Sequence, residues 1–294
     1  MYQIVRAVNG SGVPCQNRIQ VGEEGAEIEY LTFPGLDRSG IVKHLFTTRM
    51  GGVSGGEFST MNLSFTRGDE TEAVKANYRR IAETLGCSVS DMVASHQTHT
   101  TNIRRVTAED KGKGITRDRG YEDVDGLMTD VPGIVLVTYY ADCVPLFFVD
   151  PIHRCIGLAH SGWRGTLGRM GACMVKAMGA AFGSRPEDLC TAIGPSICRD
   201  CYEVSQDVAL QFRDELGVKV VSSGRAPGKY QLDLWLANQE ILLQAGFLPQ
   251  NIEVTDICTC HNSKYLFSHR ASGGKRGNMG AFLMLKCDEQ ERNL

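Results

Sequence analysis

Three short polar segments each place a soft or borderline metal ligand beside an apolar run: SHQTH (95–99), ADCVP (141–145) and AHSGWRG (159–165). Their candidate ligands are His99, Cys143 and His160. Two imidazoles and one thiolate suit a catalytic zinc, whose fourth position is left for water or substrate. The spacing of the three residues matches no local metal signature. An alternative is therefore that they bind no metal, with Cys143 a small buried side chain and the histidines structural polar residues.

Four further cysteines form two close pairs. Cys198 and Cys201 make a CxxC motif, and Cys258 and Cys260 make a CxC motif that is followed by His261. A structural zinc site built from the four cysteines is a weaker alternative, because CxxC is a common coincidence in a chain with 11 cysteines.

The elements that must position these residues are predicted from hydrophobic periodicity and helix ends. Apolar, partly β-branched runs predict strands over 26–33, 43–49, 92–106, 133–140, 155–160, 190–193, 252–259 and 279–286. Helical spacing predicts helices over 70–85, 166–182, 204–216 and 232–245, each followed by a glycine that suits a left-handed helix end. This order predicts a mixed α+β protein rather than strict βαβ alternation.

Charge and composition exclude several classes of partner. The 294 residues carry 31 Lys and Arg against 34 Asp and Glu, with no long run of either sign, which argues against nucleic acid or an anionic membrane as a partner. No apolar stretch approaches the roughly 20 residues of a membrane span, and the first residues lack a signal-peptide core. Eleven scattered cysteines favour reduced thiols over a secreted disulfide framework. We therefore expect a cytoplasmic protein.

Several motifs in register resemble the YfiH and laccase-domain-containing family over residues 43–285. They are TTRMGGVSGG (47–56), NLSF (62–65), HQTH (96–99), DGLMTD (125–130), ADCVPLFF (141–148), AHSGWRG (159–165), IGPSI (193–197), CYEV (201–204) and a long segment at 258–283. The resemblance implies an α+β fold of layered mixed sheets flanked by helices. It also implies a single catalytic domain over 41–287, after an N-terminal extension (1–40) of unknown role.

The same resemblance implies a metal, zinc or less favourably copper, on His99, Cys143 and His160. Four positions depart from common family patterns: Thr100 and Ser161 beside the ligands, and His269 and Ala271 in the FSHRA segment. Thr100 and Ser161 are expected to alter the shape of the pocket. Many members of the family have Phe-Ser-Tyr-Arg-Arg where this chain has FSHRA, so Ala271 stands in place of the second arginine of that loop.

Arginines in these motifs are candidates for binding phosphate or a ribose substituent, because guanidinium presents a planar fork of donors. They are Arg49, Arg164 and Arg270. Each has a structural alternative, in which the arginine caps backbone carbonyls or, for Arg164, stacks on Trp163.

The resemblance also implies an activity, since this family is described both as a polyphenol oxidase and as a zinc-dependent purine nucleoside phosphorylase, and the latter is the leading functional hypothesis. Its small-molecule partners would be phosphate and inosine, adenosine or methylthioadenosine, and adenosine deamination is a second activity of the same centre. Cys143, His99, His160 and Arg164 are the catalytic candidates. Asp142, next to Cys143, is a candidate proton carrier for deamination. If this segment is extended, Asp142 instead supports the site from behind, because neighbours in an extended strand point to opposite faces, and we favour this interpretation.

Two other classes stay open. One is a copper-dependent polyphenol oxidase, although none of the 7 histidines forms the His-x-His pairs typical of multicopper laccases. The other is a hydrolase that edits peptidoglycan precursors, with Cys143 as a nucleophile activated by His99 or His160.

Overall fold

Two six-stranded mixed sheets lie face to face at the centre of the structure, a computed structural model that describes residues 2–8, 10–22 and 25–287. The first sheet contains, in spatial order, β1 (Cys15–Val21), β2 (Ala26–Thr32), β3 (Val42–Thr47), β15 (Met279–Leu285), β7 (Val135–Tyr140) and β4 (Met92–Ala94). Its strands pair antiparallel, except that β4 runs parallel to β7.

The second sheet contains β14 (Ile252–Val254), β10 (Cys190–Ile193), β8 (Val144–Asp150), β9 (Cys155–Ser161), β6 (Gly126–Thr129) and β5 (Ile103–Arg105). A small antiparallel sheet contains β11 (Glu203–Ser205), β13 (Lys229–Leu232) and β12 (Val221–Ser223). The helices are α1 (Pro34–Asp37), α2 (Thr71–Leu85), α3 (Trp163–Leu167), α4 (Met170–Phe182), α5 (Gln206–Leu216), α6 (Leu234–Gln244) and α7 (His269–Ser272).

The core lies on both faces of each large sheet. In β7, Leu136 points into the space between the sheets, whereas Val135 and Val137 pack outward against Tyr78 of α2. Helices α4, α5 and α6 cover the outer face of the second sheet in the same way. Each such apolar side chain contributes roughly 1.5–3 kcal/mol on burial. The result is four layers, which confirms the predicted α+β fold of layered mixed sheets flanked by helices.

Several predicted elements are confirmed closely. Helix α2 ends at Leu85, and Gly86 adopts the predicted left-handed conformation with φ 65°. The strand predicted at 190–193 is β10. The strands missed by periodicity include β6 and β8, which are buried along their whole length and so show no alternation of apolar and polar residues.

Three predicted elements are wrong in a way that matters for the site. The strand predicted over 92–106 is divided into β4 and β5, which belong to different sheets, and the intervening loop carries His99. The helix predicted over 166–182 is broken between α3 and α4, where Arg169 has a φ of 59°. The strand predicted over 252–259 ends at Val254, so Cys258 lies in a loop.

The predicted N-terminal extension, 1–40, supplies two strands to the first sheet. Strands β1 and β2 pair over seven residues each, and β2 continues onto β3. Residues 1, 9, 23 and 24 lie outside the described part. The division of the chain at residue 40 stays a prediction. None of the helices in the described ranges combines the length and apolar character needed to cross a membrane.

His44 of β3 makes the stability of the fold sensitive to acid. Its Nε2 accepts a hydrogen bond from the Phe33 amide at 2.8 Å, and burial, aided by the charge of Lys286, lowers its pKa from 6.5 to about 3. Asp37 approaches Nδ1 at 3.6 Å but does not offset the burial, so His44 is neutral in the folded state.

Because the pKa of His44 is lowered in the folded state, between pH 6.5 and about 3 the imidazole is protonated in the unfolded chain but neutral in the folded protein. We expect the free energy of unfolding to be unaffected by His44 above pH 6.5 and to fall by about 1.4 kcal/mol for each pH unit below it. His44→Gln, which keeps an acceptor for Phe33, should flatten this acid limb in urea unfolding. Equal slopes for the two proteins would contradict the assignment.

Candidate active site

The carboxylate of Asp125, just before β6, organises the loop between β4 and β5. It accepts hydrogen bonds at 3.0 Å from the backbone amides of Thr98, His99 and Thr100 and from the Thr100 hydroxyl. Its Oδ1 also lies 2.8 Å from Nδ1 of His160. Burial acts to raise the pKa of Asp125, but the hydrogen bond and charge of His160 and the loop amides outweigh it and lower the pKa. One buried charge therefore orients both histidines.

Gln97 attaches the same loop to the first sheet. Its Oε1 accepts the Tyr139 amide at 2.7 Å and its Nε2 donates to the Tyr139 carbonyl at 2.8 Å, as a neighbouring strand would. The chain then turns at His99 with a φ of 68°, held by Asp125. The glutamine of the HQTH motif is thus structural, and His99 is exposed at the mouth of a cleft.

Cys143 lies in the bend that connects β7 to β8. The expectation that this segment is extended is wrong, because Asp142 has a φ of 94°. The Asp142 carboxylate nevertheless points away from the cleft, where it accepts hydrogen bonds from the Thr259 hydroxyl at 2.6 Å and the Arg270 amide at 2.7 Å. It is thus placed to support the bend that presents Cys143.

The three predicted ligands come together. Ligand atoms of His99, Cys143 and His160 all lie within 4.8 Å of one another, and the Cys143 Sγ is 3.9 Å from His99 Nε2. Asp125 holds Nδ1 of His160, which leaves Nε2 free to bind a metal, an arrangement typical of metal-ligating histidines. The donor set, its spacing and its exposed side at His99 therefore fit a metal with an open coordination position.

The electrostatics of Cys143 and His160 are coupled. Burial acts to raise the pKa of Cys143, but the charge of His160 and hydrogen bonds from both histidines outweigh it and lower the pKa to about 6. Burial acts to lower the pKa of His160, but the Cys143 thiolate and Asp125 raise it to about 9. The thiol is therefore readily ionised, as a metal ligand or a nucleophile requires.

Gly162 leaves the space in which these side chains meet. A Cβ at this position would lie 2.8 Å from Cδ2 of His99 and 3.1 Å from Sγ of Cys143. The AHSGWRG motif thus contributes the candidate ligand His160 and, two residues later, the glycine that leaves space for His99 and Cys143. Ser161 points away from the cleft, where its hydroxyl contacts Asn238 and Thr166.

The three candidate ligands line a cleft of about 390 Å³, within the range of small-molecule sites. Three arginines that the sequence analysis did not single out also line it: Arg67, Arg119 and Arg276. The Nε atoms of Arg119 and Arg276 are buried without a hydrogen-bond partner among the described residues. Burial lowers the pKa of Arg276 to about 10, and the charge of Arg67 adds to this effect. These arginines come from distant segments, and although Arg276 lies in the motif at 258–283, no local pattern indicates that it meets Arg67 and Arg119.

The three arginines proposed from sequence lie elsewhere. Arg49 donates to the carbonyls of Ser59 and Ser263 and stacks on Phe267. Arg270 donates to the carbonyls of Cys201 and Glu203. Arg164 is exposed and stacks on Trp163 at 4.2 Å. None of these three lines the 390 Å³ cleft.

Comparison with known proteins places this geometry in a family. The family profile described as multi-copper polyphenol oxidoreductase laccase matches residues 43–286. The chain belongs to this laccase-like family. The resemblance predicted from its motifs is thereby confirmed.

Members of the laccase-like family with similar sequences carry enzyme names. The chain is 39% identical over 240 residues to purine nucleoside phosphorylase YlmD of Geobacillus stearothermophilus, covering 81% of this chain and 88% of the relative. It is 33% identical over 237 residues to adenosine deaminase RL5 of an unknown prokaryotic organism, covering 79% and 90%. The crystal structure of Bacillus licheniformis YfiH matches with a TM-score of 0.83 at 34% identity, over 87% of this chain and 96% of that one.

Asp125→Asn should weaken metal binding, because the amide can no longer accept from the loop amides and His160 together. Loss of such a supporting hydrogen bond typically costs 10- to 100-fold in metal affinity. We expect this loss for zinc, measured by competition with a chelating dye. Asp150→Asn is the matched control, since Asp150 is equally buried and pairs with His153 at 2.9 Å, outside the ligand set. Equal zinc affinity in the two variants would refute this role of Asp125.

Proposed function

We propose that this protein is a zinc-dependent purine nucleoside phosphorylase. The observation that carries the proposal is one cleft that combines His99, Cys143 and His160 with two arginines, Arg119 and Arg276, whose buried Nε atoms have no hydrogen-bond partner among the described residues. The names of relatives such as YlmD support the same reaction.

His99, Cys143 and His160 would hold the zinc, a borderline ion that accepts both imidazole and thiolate ligands. When bound, zinc supplies a Lewis acid able to polarise an oxygen of substrate or water. Asp125 keeps His160 in the required tautomer and sets the turn at His99.

Arg67, Arg119 and Arg276 would bind inorganic phosphate. Within the described part of the chain, none of the three forms a salt bridge with a carboxylate, and no Asp or Glu lines the cleft. Two positive charges that repel each other, as Arg67 and Arg276 do, are stabilised by an anion between them. Guanidinium groups also suit the planar, multiple hydrogen bonding of phosphate oxygens.

The reaction needs phosphate positioned behind the ribose carbon that carries the base. A phosphate oxygen forms a bond to this carbon while the carbon–nitrogen bond breaks and its electron pair leaves with the purine, which takes up a proton. Holding phosphate and nucleoside in one cleft replaces a two-body encounter by a positioned attack. Phe65 and Tyr139, which also line the cleft, offer aromatic faces to a purine.

Deamination of adenosine is a second candidate because one relative is named adenosine deaminase. Zinc deaminases use a carboxylate as general acid and base. The cleft lining contains none in the described ranges, and Asp125 and Asp142 are engaged behind the site. The geometry therefore supports phosphorolysis better.

The two remaining classes are less well supported. A laccase would need histidines for a copper cluster, and the sequence contains no His-x-His pair. A Cys143 hydrolase shares the ionised thiol but gives no role to the cleft arginines. The cysteines of the described chain are free thiols, which suits the cytoplasmic location we propose.

Inosine breakdown should require inorganic phosphate and yield hypoxanthine and ribose 1-phosphate. Chromatography of products from zinc-quantified protein, with and without phosphate, measures this. Cys143→Ala should lose the zinc of the cleft and the activity together. Equal base release without phosphate, giving free ribose, would refute phosphorolysis. Cleavage of a peptidoglycan precursor by metal-free protein, abolished by thiol alkylation, would establish the hydrolase instead.

Arg67→Ala and Arg276→Lys should raise the KM for phosphate about tenfold or more, because each removes a charge-assisted hydrogen-bond donor worth about 1.5–3 kcal/mol. The KM for inosine should change less. Arg105→Ala is the matched control, since Arg105 stacks on Phe182 and pairs with Asp130 away from the cleft. A phosphate effect confined to Arg164→Ala would favour the arginines chosen from sequence.

A further inference from the structure

A second group of metal-ligand side chains lies outside the cleft. Cys198, Cys201, Cys258 and His261 bring their ligand atoms within 4.8 Å of one another. The Cys198 Sγ is 3.8 Å from Nδ1 of His261. We name these four residues the Cys3His cluster. Neither the family description nor the proposed reaction uses it.

The cluster is made by two turns with the same internal spacing. Cys198 and Cys201 flank a 3-10 turn, and the Cys201 amide donates to the Cys198 carbonyl at 3.1 Å. Cys258 and His261 flank a second turn, closed by Asn262, whose amide donates to the Cys258 carbonyl at 3.1 Å. A C-x2-C turn is a typical half of a structural zinc site, Cys3His is one of the usual ligand sets, and the facing C-x2-H turn has the same internal spacing.

The two turns are joined by backbone contacts that do not depend on a metal. Ser196 pairs with Cys258 in an isolated parallel bridge, and the Thr259 amide donates to the Ser196 carbonyl at 3.1 Å. The Cys198 amide donates to the Cys258 Sγ at 3.3 Å. The four ligands are thus held at short range by the fold itself.

Distance, donor type and number agree with zinc. In a tetrahedral site with zinc–sulfur bonds of about 2.3 Å, sulfur atoms lie roughly 3.8 Å apart, so the observed separations need only small side-chain adjustments. Three thiolates and an imidazole select zinc over the harder cations. We propose that the Cys3His cluster binds a structural zinc ion, in addition to the metal of the cleft.

This ligand set differs from the one expected from the CxxC and CxC motifs. The structure places His261, rather than Cys260, with Cys198, Cys201 and Cys258. Residues 258 and 261 have the three-residue offset that lets both ends of a tight turn face one ion, whereas 258 and 260 do not.

A zinc ion in the Cys3His cluster would stabilise the segments that lie behind the cleft. The turn at 258–261 carries Thr259, whose hydroxyl binds Asp142, and the Cys201 carbonyl accepts the guanidinium of Arg270. The Ile197 amide, next to Cys198, donates to the Asp142 carbonyl at 3.0 Å. Zinc in the cluster would therefore fix the bend that presents Cys143 without contacting substrate.

Elemental analysis of the purified full chain tests the proposal. We expect two zinc ions per chain, one in Cys143→Ala, one in Cys201→Ser or His261→Ala, and none in Cys143→Ala combined with Cys201→Ser. Cys260→Ser is the matched control and should keep two. The zinc lost in Cys143→Ala reports on the cleft alone, so failure of the proposed phosphorolysis and failure of the cluster are distinguishable.

Cobalt(II) spectroscopy distinguishes the loss of a metal ligand from the loss of zinc through misfolding of a variant. Cobalt(II) bound to Cys143→Ala should show thiolate-to-cobalt charge transfer from three thiolates, and adding His261→Cys should raise its intensity by about one third while metal is retained. Unchanged zinc in Cys201→Ser and His261→Ala would overturn the proposal. So would loss of zinc in Cys260→Ser, or a thiol count showing a disulfide between Cys198 and Cys258 in the freshly purified protein.

Discussion

The buried carboxylate of Asp125 is the constraint on which the rest of the site depends. An ionised group with no exposure to water is tolerated only when its oxygens are fully hydrogen-bonded. Here the partners are three loop amides, a hydroxyl and an imidazole. The hydrogen bonds that stabilise the Asp125 charge are therefore the same ones that position His99 and His160. The unusual φ of His99 is held in place by this network.

The paired sheets explain why ligands from distant segments meet. Cys143 lies where the chain leaves β7 of the first sheet and enters β8 of the second, and His160 lies near the end of β9, beside β8. His99 follows β4, the neighbour of β7. Both sheets are buried on two faces, so their strand ends are fixed by packing on either side. The candidate site therefore lies at the ends of rigid strands, with a short bend presenting Cys143 and a longer loop presenting the exposed His99.

The sequence predicted the fold class and the side chains of His99, Cys143 and His160 that the structure brings together, but not the arginines that line the same cleft. His99, Cys143 and His160 were recognisable because each lies in a compact motif whose residue types have few other uses together. Arg67, Arg119 and Arg276 converge only through tertiary structure, and the motif that contains Arg276 does not indicate which other arginines lie beside it. The break at residues 95–102 was also unpredictable, since its cause is the distant carboxylate of Asp125 rather than any helix- or strand-breaking residue in the segment.

The three cleft arginines concentrate positive charge in a chain whose formal net charge is −3. Low-dielectric walls focus such a field, which raises the local concentration of anions and accelerates their diffusional capture. Mobile ions screen exposed charges beyond about 8 Å at physiological ionic strength, whereas buried charges are screened much less. The exposed Arg67 would therefore act on the rate at which an anion enters the cleft, and the buried Arg276 on how tightly the anion is then held. A sugar phosphate formed in this cleft would be attracted by the same positive field as incoming phosphate. Its release would therefore be slow and would limit the rate of turnover.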